Sequence, residues 1–450
     1  MDHAGPPFPW RLSLLGFLSV GLYVLGNHWQ PALRGSNHVS YVLWFSLLFV
    51  LYVAAMTWVL GGPEESHPLL IPMIVGWAVM FRVSLLWVTP GFLSDDMYRY
   101  LWDGLVQRAG INPYQYPPEA PELAFLRDEA IFPMINRKSA LTIYPPGAQV
   151  LFWVMAWGWP GNVVGMKGAI LFADVCSIAL LLPLLRHLDV NRSRVLLYAW
   201  HPLVVTELGL SGHLDGVMIP FLLLAVLLTL KQRSWQAGLG LGLATLLKLY
   251  PAILLPILYR KRTWRMPAAF VAVVALGYLF YLGAGGQIIG YLPHYLAPAE
   301  ENNLGLRRML THILGLVTDE PHRLVLWLTS LILLVVMFQC LTSNQKAPRE
   351  VINWGVRVIA LYLLLVSPSV YEWYLIWLLA LASLTQTWST PAWLYWSWSV
   401  NLDILAYLPG IEAYAHWFRF AEYGPLFLWL GGGWLMHKVQ GSRFTVQGSR

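Results

Sequence analysis

Two adjacent carboxylates stand in the stretch SDDMYRYLWDG at residues 94–104. Asp95 and Asp96 follow an apolar run, so they lie at the edge of a segment suited to crossing a membrane. A membrane-edge acid is costly unless it is paired or used, although acidic side chains also suit the positive end of a helix dipole. A carboxylate that is used can remove the proton from an attacking hydroxyl group. We expect Asp95 to be that base, and Asp96 to orient or bind the molecule that carries the hydroxyl.

A second polar set lies where two apolar runs meet, in SGHLDG at residues 211–216. His213 and Asp215 belong to this glycine-flanked turn, and Glu207 precedes them. A lone histidine near a turn is more often structural, but the neighbouring acids make a binding site an equally good interpretation. Carboxylate and imidazole together suit Mg²⁺ or Mn²⁺, yet no spacing here is diagnostic of a metal. The sequence therefore assigns no metal ligand and leaves a divalent cation open.

Lys248 lies inside the apolar stretch LATLLKLYP at residues 243–251. A lysine can extend its side chain to a membrane surface, but Lys248 is far from the basic loops on either side. We therefore expect it to contact an anion. Pro251 disfavours a helical Tyr250, which predicts that residues 236–259 form a re-entrant pair of short helices broken at this point.

Further side chains extend the candidate site. The stretch YEWYLIW at residues 371–377 is typical of an aromatic belt at a membrane interface, although aromatic faces also stack on sugar rings. Glu372 within it is expected to pair with an arginine. The candidates for contact with substrate are Arg99, Tyr100, Asp103, Tyr144, Glu207, Tyr371 and Glu372.

The paired carboxylates need an element that holds them, and the residues after them predict a helix. Ser94 can cap a helix that runs from Asp95 to about Arg108 and stops at Gly110. Helical spacing gives this helix one polar face, formed by Asp96, Arg99, Tyr100, Asp103 and Gln107. The predicted helix is amphipathic and lies along the membrane interface with three rings at headgroup level, those of Tyr98, Tyr100 and Trp102.

The composition indicates the class of protein. Of 450 residues, 57% are hydrophobic and 12% are charged, against roughly 45–50% and 25% in soluble domains. Apolar runs long enough to cross ~30 Å of hydrocarbon as helices recur along the chain, and no long polar block could fold alone in water. The sequence therefore predicts one polytopic, all-α membrane domain over residues 1–450, without a separate soluble domain.

Positive charge predicts the orientation of this domain. The net charge of +6 gathers in loops that the positive-inside rule places in the cytoplasm, so it does not argue for nucleic acid binding. These basic loops lie at residues 186–194, 231–235, 260–265 and 344–357. With the N-terminus also inside, the chain forms about a dozen spans plus re-entrant helices. The long loop at about 90–148 then lies outside the cytoplasm, together with the carboxylates and the SGHLDG turn.

Carboxylates, cations and aromatic rings on one side of a membrane fit a reaction in which a lipid-linked phosphate leaves and a hydroxyl attacks. Sugar transfer from a polyprenyl phosphate is such a reaction, because its anomeric carbon becomes oxocarbenium-like and a carboxylate can deprotonate the incoming hydroxyl. Cations would stabilise the charge that builds on the leaving phosphate. The donor-binding candidates are Lys248, His213, Asp215, Arg307, Arg308 and Arg137.

A transporter or flippase of a lipid-linked sugar is the alternative function. It would predict internal repeats and charged residues near the membrane midplane. The sequence has no convincing repeat, and its acids cluster at one interface. We therefore prefer group transfer.

The ordered series SDDMYRYLWDG, GINPYQYPP, WHPLVVTELGLSGHLDG and LATLLKLYPAILLPIL resembles the GT-C class of membrane mannosyltransferases that use polyprenyl-phosphate sugars. The resemblance is good over roughly residues 69–290. In the remainder it is limited to the layout of the segments. It implies that the catalytic aspartate is Asp95 or Asp96, and that GHLDG and Lys248 line the donor pocket.

The same resemblance implies a dolichyl- or undecaprenyl-type phosphate donor that carries mannose or glucose. Transfer would take place outside the cytoplasm, to a lipid-linked or glycan acceptor. The simplest members of the class have one span before the acidic loop, whereas this sequence has three, so the subfamily and the acceptor stay open. A compact chain without a retention tail is expected in a bacterial inner membrane.

Overall fold

The structure, a computed structural model, describes residues 9–33, 38–61, 67–90, 94–260, 263–303, 305–343, 347–408 and 415–447. Parts of two predicted basic loops, residues 261–262 and 344–346, lie outside these ranges, as do residues 91–93 of the long loop. Within the described residues every regular element is helical, and an isolated bridge pairs Asn302 with Ser369. The chain is thus all-helical, as its sequence predicts.

Most of the helices follow one another with short breaks, and the long loop separates α4 from α5. The N-terminal half contains α1 (Trp10–Leu33), α2 (His38–Gly61), α3 (Leu70–Leu85), α4 (Asp96–Arg108), α5 (Pro146–Gly158), α6 (Val163–His187), α7 (Leu196–Ala199), α8 (Pro202–Thr206) and α9 (Asp215–Leu230). The C-terminal half contains α10 (Ser234–Leu247), α11 (Leu255–Leu258), α12 (Arg265–Leu279), α13 (Leu292–Tyr295), α14 (Leu306–Leu314), α15 (Pro321–Thr342), α16 (Pro348–Leu361), α17 (Ile376–Ala382), α18 (Thr390–Ser399) and α19 (Ala415–Gln447).

Three of the described helices, α2, α6 and α15, are long and apolar enough to cross a membrane. A fourth crossing results if α12 is joined with the segment Leu282–Tyr295, although the two are bent by 114°. Shorter apolar helices, among them α3 and α9, accompany them. The chain is therefore a helical membrane protein. The number of about a dozen spans and the side of the membrane that each loop faces stay predictions.

Helix α4 begins one residue after its predicted start and ends at Arg108. Its aromatic side chains are buried inside the protein. The ring of Tyr100 stacks on Phe152 of α5 with centroids 4.8 Å apart, and the ring of Trp102 packs on Phe132 of the long loop at 5.5 Å. Aromatic rings gain from such packing, so Tyr98, Tyr100 and Trp102 are packed within the fold and do not face lipid. The position of α4 along the membrane interface stays a prediction.

The chain between α8 and α9 changes direction through a π-helical turn, Glu207–Ser211. The carbonyl of Glu207 accepts hydrogen bonds from the N–H groups of Gly212 and His213. Gly212 has φ +75°, and a Cβ there would meet Met97 of α4. The left-handed backbone therefore favours glycine at this turn.

The predicted break near Lys248 is present. Helix α10 ends at Leu247, Lys248 is extended with φ −146° and ψ 137°, and a short 3₁₀ segment follows at Tyr250–Leu254. Pro251 lies at the start of that segment, where its missing N–H is tolerated. The side chain of Lys248 consequently leaves the chain between two helical pieces. Whether these pieces are re-entrant stays a prediction.

Buried charges fix the end of α3, just before the carboxylate pair. Arg82 of α3 lies with its Nε 2.5 Å from Oδ2 of Asp174, and Oδ1 of the same carboxylate accepts a 2.7 Å hydrogen bond from Tyr198. Lys167 of α6 donates to the carbonyl oxygens of Leu85 and Val88, both at 2.7 Å. The ammonium thus satisfies carbonyls that the end of a helix leaves free, and it ties α3 to α6.

Candidate functional site

A cavity of about 370 Å³ opens beside the N-terminus of α4. Its walls come from α4, the stretch 136–145, the break after α10, α13 and residues 371–374. Ligand pockets commonly have volumes of ~300–1,000 Å³, so a sugar-sized ligand fits. The candidates from the sequence that line it are Asp95, Asp96, Arg99, Arg137, Tyr144, Lys248 and Tyr371.

The two carboxylates are held together by one amide. The Nδ2 of Asn136 donates to Oδ1 of Asp95 at 2.8 Å and to Oδ1 of Asp96 at 3.1 Å. The backbone N–H of Asp96 donates to the hydroxyl of Ser94 at 3.3 Å, although the N-cap residue of α4 is Asp95, which makes no side-chain capping bond. Asn136 belongs to the long loop and was not among the residues predicted from the sequence. It places two anionic groups side by side in the cavity wall.

His213 lies behind Asp96, with no exposed surface. Its Nδ1 is 3.7 Å from Oδ2 of Asp96, and its Nε2 is 3.2 Å from Oε2 of Glu207. The ring of Trp373 stacks on the imidazole with centroids 3.8 Å apart and planes inclined by 19°. Burial lowers the pKa of His213 to about 4, against the raising effect of Asp96, so the ring is neutral near pH 7. Its position behind the wall does not suit the direct donor contact expected for it.

Lys248 has the anion partner that its sequence context predicts. Its Nζ lies 2.7 Å from Oδ2 of Asp215, and Tyr250 donates its hydroxyl hydrogen to the other carboxylate oxygen. The ammonium also sits 5.6 Å from the centre of the Tyr374 ring. An ammonium has three N–H donors, and the bond to Asp215 uses one. Asp215 lies behind Lys248, while Lys248 itself faces the cavity.

Arg99 anchors the polar face of α4. Its Nε lies 2.8 Å from Oδ1 of Asp103, and its Nη1 donates to the carbonyl of Ala140 at 3.1 Å. Gln149 of α5 donates to the second oxygen of Asp103 at 2.9 Å. Asp103 is therefore a buried partner of Arg99 and does not line the cavity. Tyr100 is also fully buried beneath the wall.

Arg137 joins two segments at the mouth of the cavity. It forms an ion pair with Glu300, which also accepts a 2.8 Å hydrogen bond from the hydroxyl of Tyr291. The hydrogen bond from Arg137 lowers the pKa of Glu300 below its ordinary value. The ion pair thus links the long loop to the stretch around residues 291–300.

Four further candidates do not line the cavity. Arg307 is buried, pairs with Glu301 at 2.6 Å and donates to backbone carbonyls, so its charge is used inside the fold. Arg308 is exposed and does not line the cavity in the described part of the chain. Glu372 forms no ion pair with an arginine among the described residues, and its pairing stays a prediction. Glu207 is buried next to His213 rather than at the wall.

The aromatic stretch at residues 371–374 forms a wall of the cavity. Tyr371 and Trp373 are stacked with parallel planes and centroids 4.7 Å apart, and Tyr374 meets both edge-on. These rings face the cavity, which corrects the expected membrane belt and fits the alternative of stacking on a sugar. The sequence did not single out the tyrosines that complete this wall, Tyr250, Tyr291, Tyr295 and Tyr362.

No group of three or more histidine, cysteine, aspartate or glutamate side chains in the described residues is arranged to hold a metal ion. The cavity instead presents two carboxylates, a wall of aromatic rings and an ammonium for which the described residues show one hydrogen-bond partner. This set can deprotonate a hydroxyl, bind an anion and stack on a sugar ring.

The comparison with protein-family models places the chain in a known family. The model of Glycosyltransferase family 87 matches residues 142–368, half of the chain. The match includes Tyr144, His213, Asp215 and Lys248, whereas Asp95 and Asp96 precede it. No curated protein matches the chain. The chain belongs to Glycosyltransferase family 87, one of the GT-C-type membrane glycosyltransferases.

Proposed function

We propose that this glycosyltransferase moves a hexose, mannose in the first instance, from a polyprenyl-phosphate donor to a lipid-linked or glycan acceptor, with inversion. The observation that carries the proposal is the arrangement of the cavity. The paired carboxylates of Asp95 and Asp96 line it together with the ammonium of Lys248. Direct displacement of a phosphate by a hydroxyl needs a base for the hydroxyl and a cation for the leaving phosphate. This cavity contains both.

The reaction follows from these two groups. One carboxylate of the pair takes the proton of the acceptor hydroxyl, and the oxygen attacks the anomeric carbon. The bond between that carbon and the phosphate oxygen breaks, and its electron pair stays on the phosphate. Because the transition state is oxocarbenium-like, the carboxylates also stabilise the positive charge on the sugar. The leaving phosphate gains negative charge, which the free N–H groups of Lys248 would stabilise.

The aromatic wall supports a sugar as the group that is moved. Tyr371 and Trp373 present stacked rings to the cavity, and Tyr374 lies against both. Aromatic rings offer large apolar area at a small entropic cost. An ammonium and an aromatic wall in one cavity suit a molecule that joins a phosphate to a hexose.

The proposed location is the extracytoplasmic face of a bacterial inner membrane. The support is the positive-inside rule, since the basic loops of the sequence are separated from the acidic stretch by predicted spans. A transporter or flippase of the same lipid-linked sugar is the alternative function, and no contact in the cavity favours it.

Sugar transfer by the purified protein in detergent tests the proposal. Synthetic polyprenyl-phosphate mannose and polyprenyl-phosphate glucose are offered in parallel, with lipid and glycan acceptors. We expect Asp95→Asn or Asp96→Asn to lose more than about a hundredfold in rate, while the exposed Asp189→Asn keeps its activity. The side chain of Asp189 is fully exposed, so it is a matched control for the chemical change.

Two results would contradict the proposal. One is that neither donor is consumed with any acceptor, while the protein moves polyprenyl phosphate between the leaflets of a vesicle. The other is that both asparagine variants transfer sugar at the rate of the unchanged chain.

A further inference from the structure

A second cavity, of about 120 Å³, lies where α9 ends and α10 begins, and its lining includes Thr229, Arg260 and Thr263. The ion pair of Asp215 and Lys248 lies at the other end of the same two helices. Helix α10 has 14 residues and is therefore roughly 20 Å long. The second cavity is thus separate from the candidate active site.

Two helices begin at this cavity, α10 at Ser234 and α12 at Arg265. The two starts are close together, because a Cβ on Gly238 of α10 would meet the carbonyl oxygen of Met266 in α12. Neither helix has a side-chain hydrogen bond from its N-cap residue or an acidic residue in its first turn. The N–H groups and the dipole at a helix start favour an anion. The two starts therefore present positive potential to the same cavity.

Positive side chains surround the same helix ends. Arg260 lines the cavity, Arg233 directly precedes α10, and Arg265 is the first residue of α12. None of the described lining residues is acidic. Basic residues in a loop also fit the positive-inside rule, so the charge by itself assigns no ligand.

Two hydroxyl groups of the lining distinguish this cavity from an ordinary basic loop. Thr229 is 5% exposed, and neither its Oγ1 nor the buried Oγ1 of Thr263 has a hydrogen-bond partner in the described part of the chain. A threonine in a helix can satisfy its hydroxyl on the carbonyl four residues earlier, as Thr206 does on Pro202. Burying a hydroxyl without such a bond is costly. Both hydroxyls can therefore donate to a group that enters the cavity.

We propose that this cavity binds the phosphate group of an anionic ligand, either free phosphate or the headgroup of a lipid. Phosphate oxygens accept hydrogen bonds from the two hydroxyls and from the helix starts, and their charge suits Arg260. The volume is below the ~300–1,000 Å³ of pockets that enclose a whole ligand, so the cavity suits a group of this size. The site does not depend on the proposed function.

Melting of the full-length protein in detergent tests the site. Sodium phosphate is titrated against sodium chloride of equal ionic strength, and dioctanoyl phosphatidic acid is titrated against dioctanoylglycerol, which lacks the phosphate. The variants are Thr229→Val and Thr263→Val, because valine keeps the shape of threonine and removes its hydroxyl.

Thr245→Val is the matched control. Thr245 is 4% exposed, and its hydroxyl also has no hydrogen-bond partner within the described residues, but it lines neither cavity. Phosphate bound at Lys248 would raise the melting temperature of all these proteins alike. The difference between Thr229→Val and Thr245→Val therefore reports on the second cavity.

We expect phosphate to raise the melting temperature of the unchanged protein more than chloride does. Thr229→Val should bind phosphate roughly tenfold to a hundredfold more weakly, because it loses a hydrogen bond to a charged group. Without phosphate the same variant should melt at or above the temperature of the unchanged protein, since an unsatisfied hydroxyl has been removed. Thr245→Val should keep the affinity.

The two titrations identify the source of the phosphate. An increase with phosphatidic acid alone assigns the site to a lipid headgroup, and an increase with sodium phosphate shows that the free anion suffices. The inference is overturned if neither titration exceeds its control. It is also overturned if Thr229→Val and Thr263→Val both keep the full increase.

Discussion

The Nζ atom of Lys248 lies 2.7 Å from Oδ2 of Asp215, and this ion pair joins the break after α10 to the first residue of α9. The Asp215 side chain is 1% exposed and that of Lys248 13%. The pair therefore has two roles that mutation can separate, one in the stability of the fold and one in the proposed binding of phosphate.

Lys248→Met removes the cation and leaves the charge of Asp215 buried without a partner. We expect the free energy of unfolding to fall by about 3–5 kcal/mol. Adding Asp215→Asn removes the orphaned charge, so the double variant should regain most of the stability but not the affinity for polyprenyl phosphate. Unfolding in detergent and titration with polyprenyl phosphate measure the two quantities. If the double variant recovers lipid affinity as well, Lys248 serves only the fold.

Asn136→Ala should disturb the reaction more than the fold. The amide of Asn136 holds both Asp95 and Asp96, and without it the two carboxylates are free to move apart. A displacement of about 1 Å in a reacting group can cost roughly a hundredfold in rate. We expect kcat to fall about tenfold to a hundredfold, with little change in melting temperature.

Asn112→Ala is the control for this change. Asn112 also uses its side chain for two hydrogen bonds, to the carbonyl of Tyr281 and from the N–H of Tyr114, but it lies outside the cavity wall. Equal losses of rate in Asn112→Ala and Asn136→Ala would remove Asn136 from the site.

Tyr371 should act through its ring and not through its hydroxyl. The ring is stacked on Trp373 and faces the cavity, so Tyr371→Phe should keep the KM for the sugar substrates. We expect Tyr371→Ala to raise that KM roughly tenfold, which corresponds to ~1.4 kcal/mol. Tyr407→Ala, at an exposed tyrosine outside the cavity wall, is the comparison. The interpretation is wrong if Phe and Ala at position 371 behave alike.

The ion pair between Arg137 and Glu300 predicts a dependence of stability on pH. The hydrogen bond from Arg137 lowers the pKa of Glu300 from 4.5, so the pair contributes stability above pH 4.5, and the contribution is lost as the pH falls through the lowered value. Glu300→Gln should therefore melt below the unchanged protein at pH 7. The melting temperatures should converge in acid. The effect should be modest because Arg137 is about half exposed.

Glu320→Gln is the control for Glu300→Gln in these melting measurements. Glu320 pairs with Arg323 on the surface, where both side chains are largely exposed, and such a pair contributes little. A Glu300→Gln protein that melts with the unchanged one at pH 7 would contradict the prediction.

Local signals in the sequence predicted local features well. Ser94 and Gly110 gave the bounds of α4 to within a residue or two, because caps and glycines act on their immediate neighbours. Pro251 gave the break after Lys248 for the same reason. The anion partner of Lys248 was also expected, since a cation in an apolar run must be paired.

The predictions that failed concern contacts between segments that are distant in the sequence. The rings of Tyr98 and Trp102 were expected at the membrane interface, and only the packing of α4 against its neighbours shows that they are buried. Asn136 carries no periodic signal, so nothing in the sequence marks it as the side chain that joins two carboxylates. Trp373 and His213 are far apart in the chain, and their stacking follows from the tertiary fold alone.

The π-helical turn at Glu207–Ser211 has a consequence for how chains of this kind should be compared. A π turn closes its hydrogen bonds one residue later than an α turn, so it corresponds to one residue inserted into a helix. Deleting Gly209, between Leu208 and Leu210, would convert the π turn into an α turn. The chain on its C-terminal side would then rotate by about 100°. His213 would then face away from Asp96, although every side chain of the site was still encoded. The length of this segment is therefore as informative as its residue types. An alignment that closes a one-residue gap here would conceal the loss of the site.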